Sequence, residues 1–107
     1  MYMNIYSINI RHIHEEAMRH QAIILDVRPR NEFYKAHIPM AMNIPFDELE
    51  ENDIALSRCR VIIIYCRTGA TSMKAARILT NKGYKVINCV GGIVNYRGQL
   101  TKNRPFY

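Results

Sequence analysis

The residues best suited to chemistry sit in one short stretch, CRTGATS, from Cys66 to Ser72. An apolar run, VIIIY, reaches this point and stops at the cysteine. Arg67 is the next neighbour, Gly69 lets the chain curl tightly, and a helix-like pattern begins near Ser72. A loop that curls just ahead of a helix turns several backbone N–H groups inward. The partial positive end of the helix stands behind them, and such a nest holds an anion. With a sulfur at its centre it is a cradle for a nucleophile. Arg67, and Lys74 further along, would add positive charge nearby.

A cysteine at the end of a buried strand is more often a small hydrophobic residue than a nucleophile. The combination of strand, cysteine, arginine, glycine and helix start lifts Cys66 above that reading. Two anion chemistries use such a cradle. In phosphoryl transfer, an arginine six positions after the cysteine would clamp the phosphate through paired hydrogen bonds. Position 72 is serine, so that clamp is missing. In sulfur transfer, the thiolate attacks the outer sulfur of a donor and becomes a persulfide stabilised by the amides. A thiophilic acceptor then removes that sulfur in a second displacement.

The elements that must hold this corner are legible as alternating patterns. AIILDV (22–27), RVIIIYC (60–66) and YKVINC (84–89) are β-branched apolar runs, as expected of strands buried on both faces of a parallel sheet. Weaker strands are expected near IYSI (5–8) and AMNI (41–44). Helices are expected over 11–20, over 30–36 behind Pro29, and over 46–52 behind Pro45, where acids near the start suit the helix dipole. The clearest helix is 72–82, stopped by Gly83, with Ala75, Ala76 and Leu79 on one face and Lys74, Arg77 and Asn81 on the other. Strands alternating with helices predict an α/β sandwich of about five strands. Sites in such sheets form beyond the carboxyl ends of the strands, where Cys66 would lie.

The 107 residues are one domain's worth, enough for one real core. No apolar run approaches the roughly 20 residues of a membrane span. The opening MYMNIYSINIRH has neither a basic n-region nor a small-residue cleavage site, so a cytoplasmic location without a membrane is expected. Three cysteines, Cys59, Cys66 and Cys89, cannot complete a disulfide framework, and no CxxC occurs. His12, His14, His20 and His37 lack metal-ligand spacing with a cysteine, so no metal is expected. The net charge of +6 is compatible with an anionic substrate, an acidic partner or RNA. The basic residues are scattered and not interleaved with aromatics, which argues against nucleic acid.

Several motifs together resemble the single-domain rhodanese (sulfurtransferase) family, from ILDVRPRNEFYKAHIP to GGIVNYRG. Asp26, Arg28, Glu32 and Phe33 resemble its first motif. His37, Ile38 and Pro39 resemble its His-Ile-Pro turn. CRTGAT resembles its six-residue active loop, and Gly83, Gly91 and Gly92 resemble the glycines around its closing strand. The resemblance implies one rhodanese-like domain over 1–107. It would be a three-layer sandwich with a mainly parallel sheet and helices on both faces. It implies a sulfurtransferase of the thiosulfate:cyanide type, with Cys66 bearing a persulfide and no cofactor. The backbone from Arg67 through Thr68, Gly69, Ala70 and Thr71 to Ser72 would cradle that sulfur, with Arg67 and Thr71 facing incoming anions. Asp26 and Arg28 would form an ion pair supporting the loop, and His37 would fix its turn. The partners implied are a small anionic sulfur donor such as thiosulfate and a protein sulfur donor or acceptor. The alternative is a non-enzymatic rhodanese-like binding or redox-sensing module, but members with that role often lose the cysteine, and this chain keeps it.

The chain departs from the family pattern at four places. Met40 stands where glycine is common, Thr71 where arginine is common, Val90 where glutamate is frequent and Tyr96 where tryptophan is frequent. Only Thr71 is expected to touch the loop, leaving Arg67 as the loop's one cation. The six-residue loop is one shorter than that of the related dual-specificity phosphatases, which favours a sulfur electrophile over phosphate. Cys89 ends a strand that could neighbour the strand leading to Cys66, so it is a candidate resolving thiol. A buried packing role is the simpler expectation for it.

Overall fold

A computed structural model describes residues 5–51, 54 and 56–102. Five strands form one sheet: β1 (Tyr6–Asn9), β2 (Ile23–Asp26), β3 (Met42–Asn43), β4 (Val61–Tyr65) and β5 (Lys85–Val90), in the order β1-β5-β4-β2-β3. Every ladder among them is parallel. The α-helices are α1 (Ile13–His20), α2 (Arg30–Lys35), α3 (Phe46–Glu51) and α4 (Ala70–Asn81). Two 3-10 turns, Ile10–His12 and Ile93–Asn95, complete the described elements. The expected α/β sandwich is what forms.

The sheet is covered on both faces, which is why its central strands read as unbroken apolar runs. On one side Leu25, Val27, Ile62, Ile64 and Cys66 pack with Leu49 of α3 and Ala75, Ala76 and Leu79 of α4. On the other, Ile24, Ile63, Tyr65, Ile87 and Cys89 pack with Ile10, Ile13 and Ile38. The alternation along each strand sorts neighbours to opposite sides. Cys66 and Cys89 therefore belong to different cores, and the sheet stands between the two thiols. The idea of Cys89 as a resolving partner fails on this geometry. Cys89 is fully buried, and burial pushes its thiol up to about 12.

The expected boundaries shift by a residue or two. α4 starts at Ala70, two residues ahead of the predicted start, because Gly69 at φ +114° already turns the chain into the helix. The segment expected as a helix over 11–20 begins as a 3-10 turn that Asn9 caps by accepting from the Arg11 amide. The end of the helix expected at 52 lies outside the described residues, as do 103–107 of the tail. Within the tail, Thr101 pairs with His37 through two backbone hydrogen bonds of 2.8 Å.

Candidate active site

The carboxyl ends of β2 and β4 lie side by side, Asp26 opposite Tyr65, so Val27 and Cys66 leave the sheet together. Cys66 is buried, and its chain then curls through exposed Arg67 and Thr68 into α4. The sulfur accepts hydrogen bonds from the backbone N–H of Gly69 at 3.0 Å and of Ser72 at 3.2 Å. Among the described residues these are the two amides that reach it, of the six from Arg67 to Ser72. The first amides of a helix have no partner within the helix, and here the Ser72 donor finds one in Sγ. Ser72 also closes the turn, donating its hydroxyl to the Gly69 carbonyl at 3.0 Å. Two amide donors aimed at one sulfur stabilise negative charge there.

The loop is held from beneath by the segment after β5. The Cys66 carbonyl accepts from the Ile93 amide at 2.9 Å and the Arg67 carbonyl from the Val94 amide at 3.2 Å. Gly92 lies so close that a Cβ built on it would fall 2.2 Å from the Arg67 carbonyl oxygen. A Cβ on Gly69 would meet the Gly91 nitrogen at 3.4 Å and the Val90 Cα at 3.9 Å. The glycine pair was visible in the sequence, but its role as the bed of the loop was not. The adjacency of β4 and β5 is the signal that could have revealed it. Of the four departures, Val90 thus comes near the loop as well as Thr71, through its backbone.

Asp26 and Arg28 form a buried ion pair beside this corner. Arg28 donates from Nε at 3.1 Å and from Nη2 at 2.8 Å to the Asp26 carboxylate, and its backbone N–H donates to the same group at 2.8 Å. Burial alone would push the guanidinium down, but the hydrogen bond and charge of Asp26 outweigh it and hold Arg28 above its usual value. Nη2 also donates to the Ala36 carbonyl at 2.6 Å. The pair thus ties β2 to the segment after α2. Tyr65, next to Cys66, joins the same network: its hydroxyl accepts from the Ile38 amide at 3.1 Å, Arg28 lies 6.0 Å from its ring centre, and burial and the Asp26 carboxylate push its phenol pKa up. Sequence reasoning missed Tyr65, since a tyrosine within an apolar run reads as packing. His37 stacks on Phe33 at 3.8 Å and its Nδ1 bonds to the Phe33 carbonyl at 2.8 Å, which fixes the turn that carries Ile38.

Cys66, Arg67 and Thr71 open onto a cleft of about 470 Å³ between α2, α3 and the loop. Arg28, Arg30 and Glu32 line one wall, and Pro45, Phe46, Asp47 and Glu48 the other. Arg30 and Glu48 form an ion pair. Lys74 is exposed and does not line this cleft. The acids near the start of α3 were read as dipole partners, and the place of Asp47 and Glu48 in the lining of the cysteine's cleft was not anticipated. Among the described residues no group of three or more His, Cys, Asp or Glu side chains is placed to hold a metal ion. No helix among them is long and apolar enough to cross a membrane.

Comparison with known proteins places this arrangement. The model of the rhodanese-like domain matches residues 11–99. The putative sulfur carrier protein YrkF of Bacillus subtilis is 42% identical over 77 residues, covering 71% of this chain and 42% of that one. The tRNA sulfurtransferase of Desulfurococcus amylolyticus is 34% identical over 83 residues, 78% of this chain and 16% of that one. The chain therefore spans less than half the length of these two relatives. The crystal structure of a rhodanese-related protein from Thermoplasma volcanium superposes with a TM-score of 0.75 at 28% identity, covering 90% of this chain and 97% of that one. On sequence and structure alike, the chain belongs to the rhodanese-like domain family.

Proposed function

We propose that this protein is a sulfurtransferase that carries a sulfane sulfur on Cys66, from thiosulfate or a persulfide donor to a thiophilic acceptor. The observation that carries this reading is the pair of amides, from Gly69 and Ser72, that both donate to Sγ at the mouth of a cleft. Relatives named as a sulfur carrier and a sulfurtransferase support it.

The chemistry needs no redox partner. The Cys66 thiolate bonds to the outer sulfur of thiosulfate, the S–S bond breaks, and sulfite leaves with its electron pair. The sulfur left on Cys66 is a persulfide anion. The two amides stabilise it without reorganising during the reaction. A nucleophile such as cyanide then bonds to the outer sulfur and leaves as thiocyanate, and Cys66 returns as thiolate. Arg67 and Thr71 at the cleft mouth would meet the donor's anionic end. Asp26 and Arg28 would keep the neighbouring strand end in place.

The test is thiocyanate formation from thiosulfate and cyanide, with wild type beside Cys66→Ser. Activity in the first and none in the second is expected. No activity in either, together with no persulfide on Cys66 from any donor, would leave a binding or redox-sensing module as the better reading.

A further inference from the structure

The charge of the cleft differs from that of the chain. The whole protein carries +6, yet its cleft is lined by three cations (Arg28, Arg30, Arg67) and three anions (Glu32, Asp47, Glu48), a balance of zero. Three of the chain's nine acidic residues thus line the cleft onto which the cysteine opens. A site shaped for a dianion alone would not collect them. Most of these charges are spoken for. Arg28 pairs with Asp26 at 2.8 Å and lies 3.9 Å from Glu32, and Arg30 pairs with Glu48. That leaves Arg67 and Asp47, which make no ion pair among the described residues. Among the described residues, one cation and one anion without an ion-pair partner therefore share a small-molecule-sized cleft with Cys66.

The geometry points to a zwitterionic substrate: an amino-acid-type persulfide whose carboxylate meets Arg67 and whose ammonium meets Asp47. This rests on the sulfur-transfer reading and narrows its donor. The step balances without an oxidant. The Cys66 thiolate bonds to the outer sulfur of R–S–S–H, and the S–S bond breaks. R–S⁻ leaves with the electron pair, and the hydrogen stays on the transferred sulfur as Cys66–S–S–H. Asp47 acts as a specificity residue and takes no part in the bond changes.

Two donors that differ by one group test this: cysteine persulfide and the persulfide of 3-mercaptopropionate, which lacks the ammonium. The rate of persulfide formation on Cys66 is read by mass spectrometry in a single turnover. The ammonium also makes the cysteine thiol the better leaving group at any site, so the ratio of the two rates is compared between proteins. In Asp47→Asn that ratio should fall about fivefold from its wild-type value, the scale of a partly exposed ion pair. A carboxylate that only steadies the start of α3 would leave the ratio unmoved. A ratio unchanged in Asp47→Asn would overturn the zwitterion proposal while sulfur transfer stands. No persulfide on Cys66 with either donor or with thiosulfate would overturn sulfur transfer, and this proposal with it.

Discussion

Gly92 lies against the peptide joining Arg67 to Thr68, so close that a Cβ on it would sit 2.2 Å from the Arg67 oxygen and 2.5 Å from the Thr68 nitrogen. Backbone cannot yield as a flexible side chain can. Its φ of +62° adds strain for any other residue. Gly92→Ala should therefore displace the loop and its two amide donors. Thiocyanate formation should fall about a hundredfold, the scale of losing one oxyanion-type donor. Circular dichroism should still report a folded α/β domain. Full activity in Gly92→Ala would mean that the loop does not need this bed.

The Asp26–Arg28 pair is a matter of stability first. Asp26 is fully buried and Arg28 nearly so. Asp26→Asn leaves a buried guanidinium without its counter-charge, at a cost of about 3 kcal/mol in urea unfolding. Tyr65→Phe removes the acceptor of the buried Ile38 amide and should cost about 1 to 3 kcal/mol. Since both side chains share one network, the double variant should lose less than the sum of the two. Strict additivity would show that the tyrosine and the ion pair act separately.

Arg67 is exposed at the mouth of the cleft. Arg67→Ala should lower the rate with thiosulfate about tenfold, the scale of one charge-assisted hydrogen bond. It should scarcely slow alkylation of Cys66 by neutral iodoacetamide. Equal losses with both reagents would point to a collapsed loop instead of a lost anion contact.

Cys89 supplies a pH-dependent term. Its folded thiol is raised by burial from 9.0 to about 12. Between those values the unfolded chain releases a proton that the folded chain keeps. Stability is therefore fully present below pH 9 and declines as pH rises toward 12. Urea midpoints from about pH 8 to 11 should fall more steeply for wild type than for Cys89→Ala, by at most about 1.4 kcal/mol per pH unit. Iodoacetamide at neutral pH should label Cys59, which is exposed, and spare Cys89. Identical pH slopes for the two proteins would show that this thiol is not protected in the folded state.

Much of the frame was legible because its signals are local. The apolar runs at 22–27, 60–66 and 84–89 each became a central strand, since burial on both faces demands unbroken hydrophobicity. Ala75, Ala76 and Leu79 became the buried face of α4 as the helical period required. The corner at Cys66 was visible from its order of residue types. What stayed hidden depends on contacts between distant segments. Strand alternation puts Cys66 and Cys89 in separate cores, which neighbouring strands alone do not reveal. The 3-10 turn at Ile93–Asn95 carries no strong periodicity, yet its amides hold the loop's carbonyls. The departure at Met40 acquires a physical meaning only with its φ of +75°, a left-handed position where glycine would be unstrained. Asp47 and Glu48 of α3 line the cysteine's cleft because of how β3 and α3 lie against β2, which charge patterning along the chain does not encode.

Whether Cys66 carries the sulfur is read by peptide mass mapping after incubation with thiosulfate and, separately, with cysteine persulfide. The peptide holding Cys66 should gain one sulfur atom, lost on addition of cyanide and absent from Cys66→Ser. Sulfur found on Cys59 or Cys89 instead, or on no cysteine with any donor, would contradict that role for Cys66.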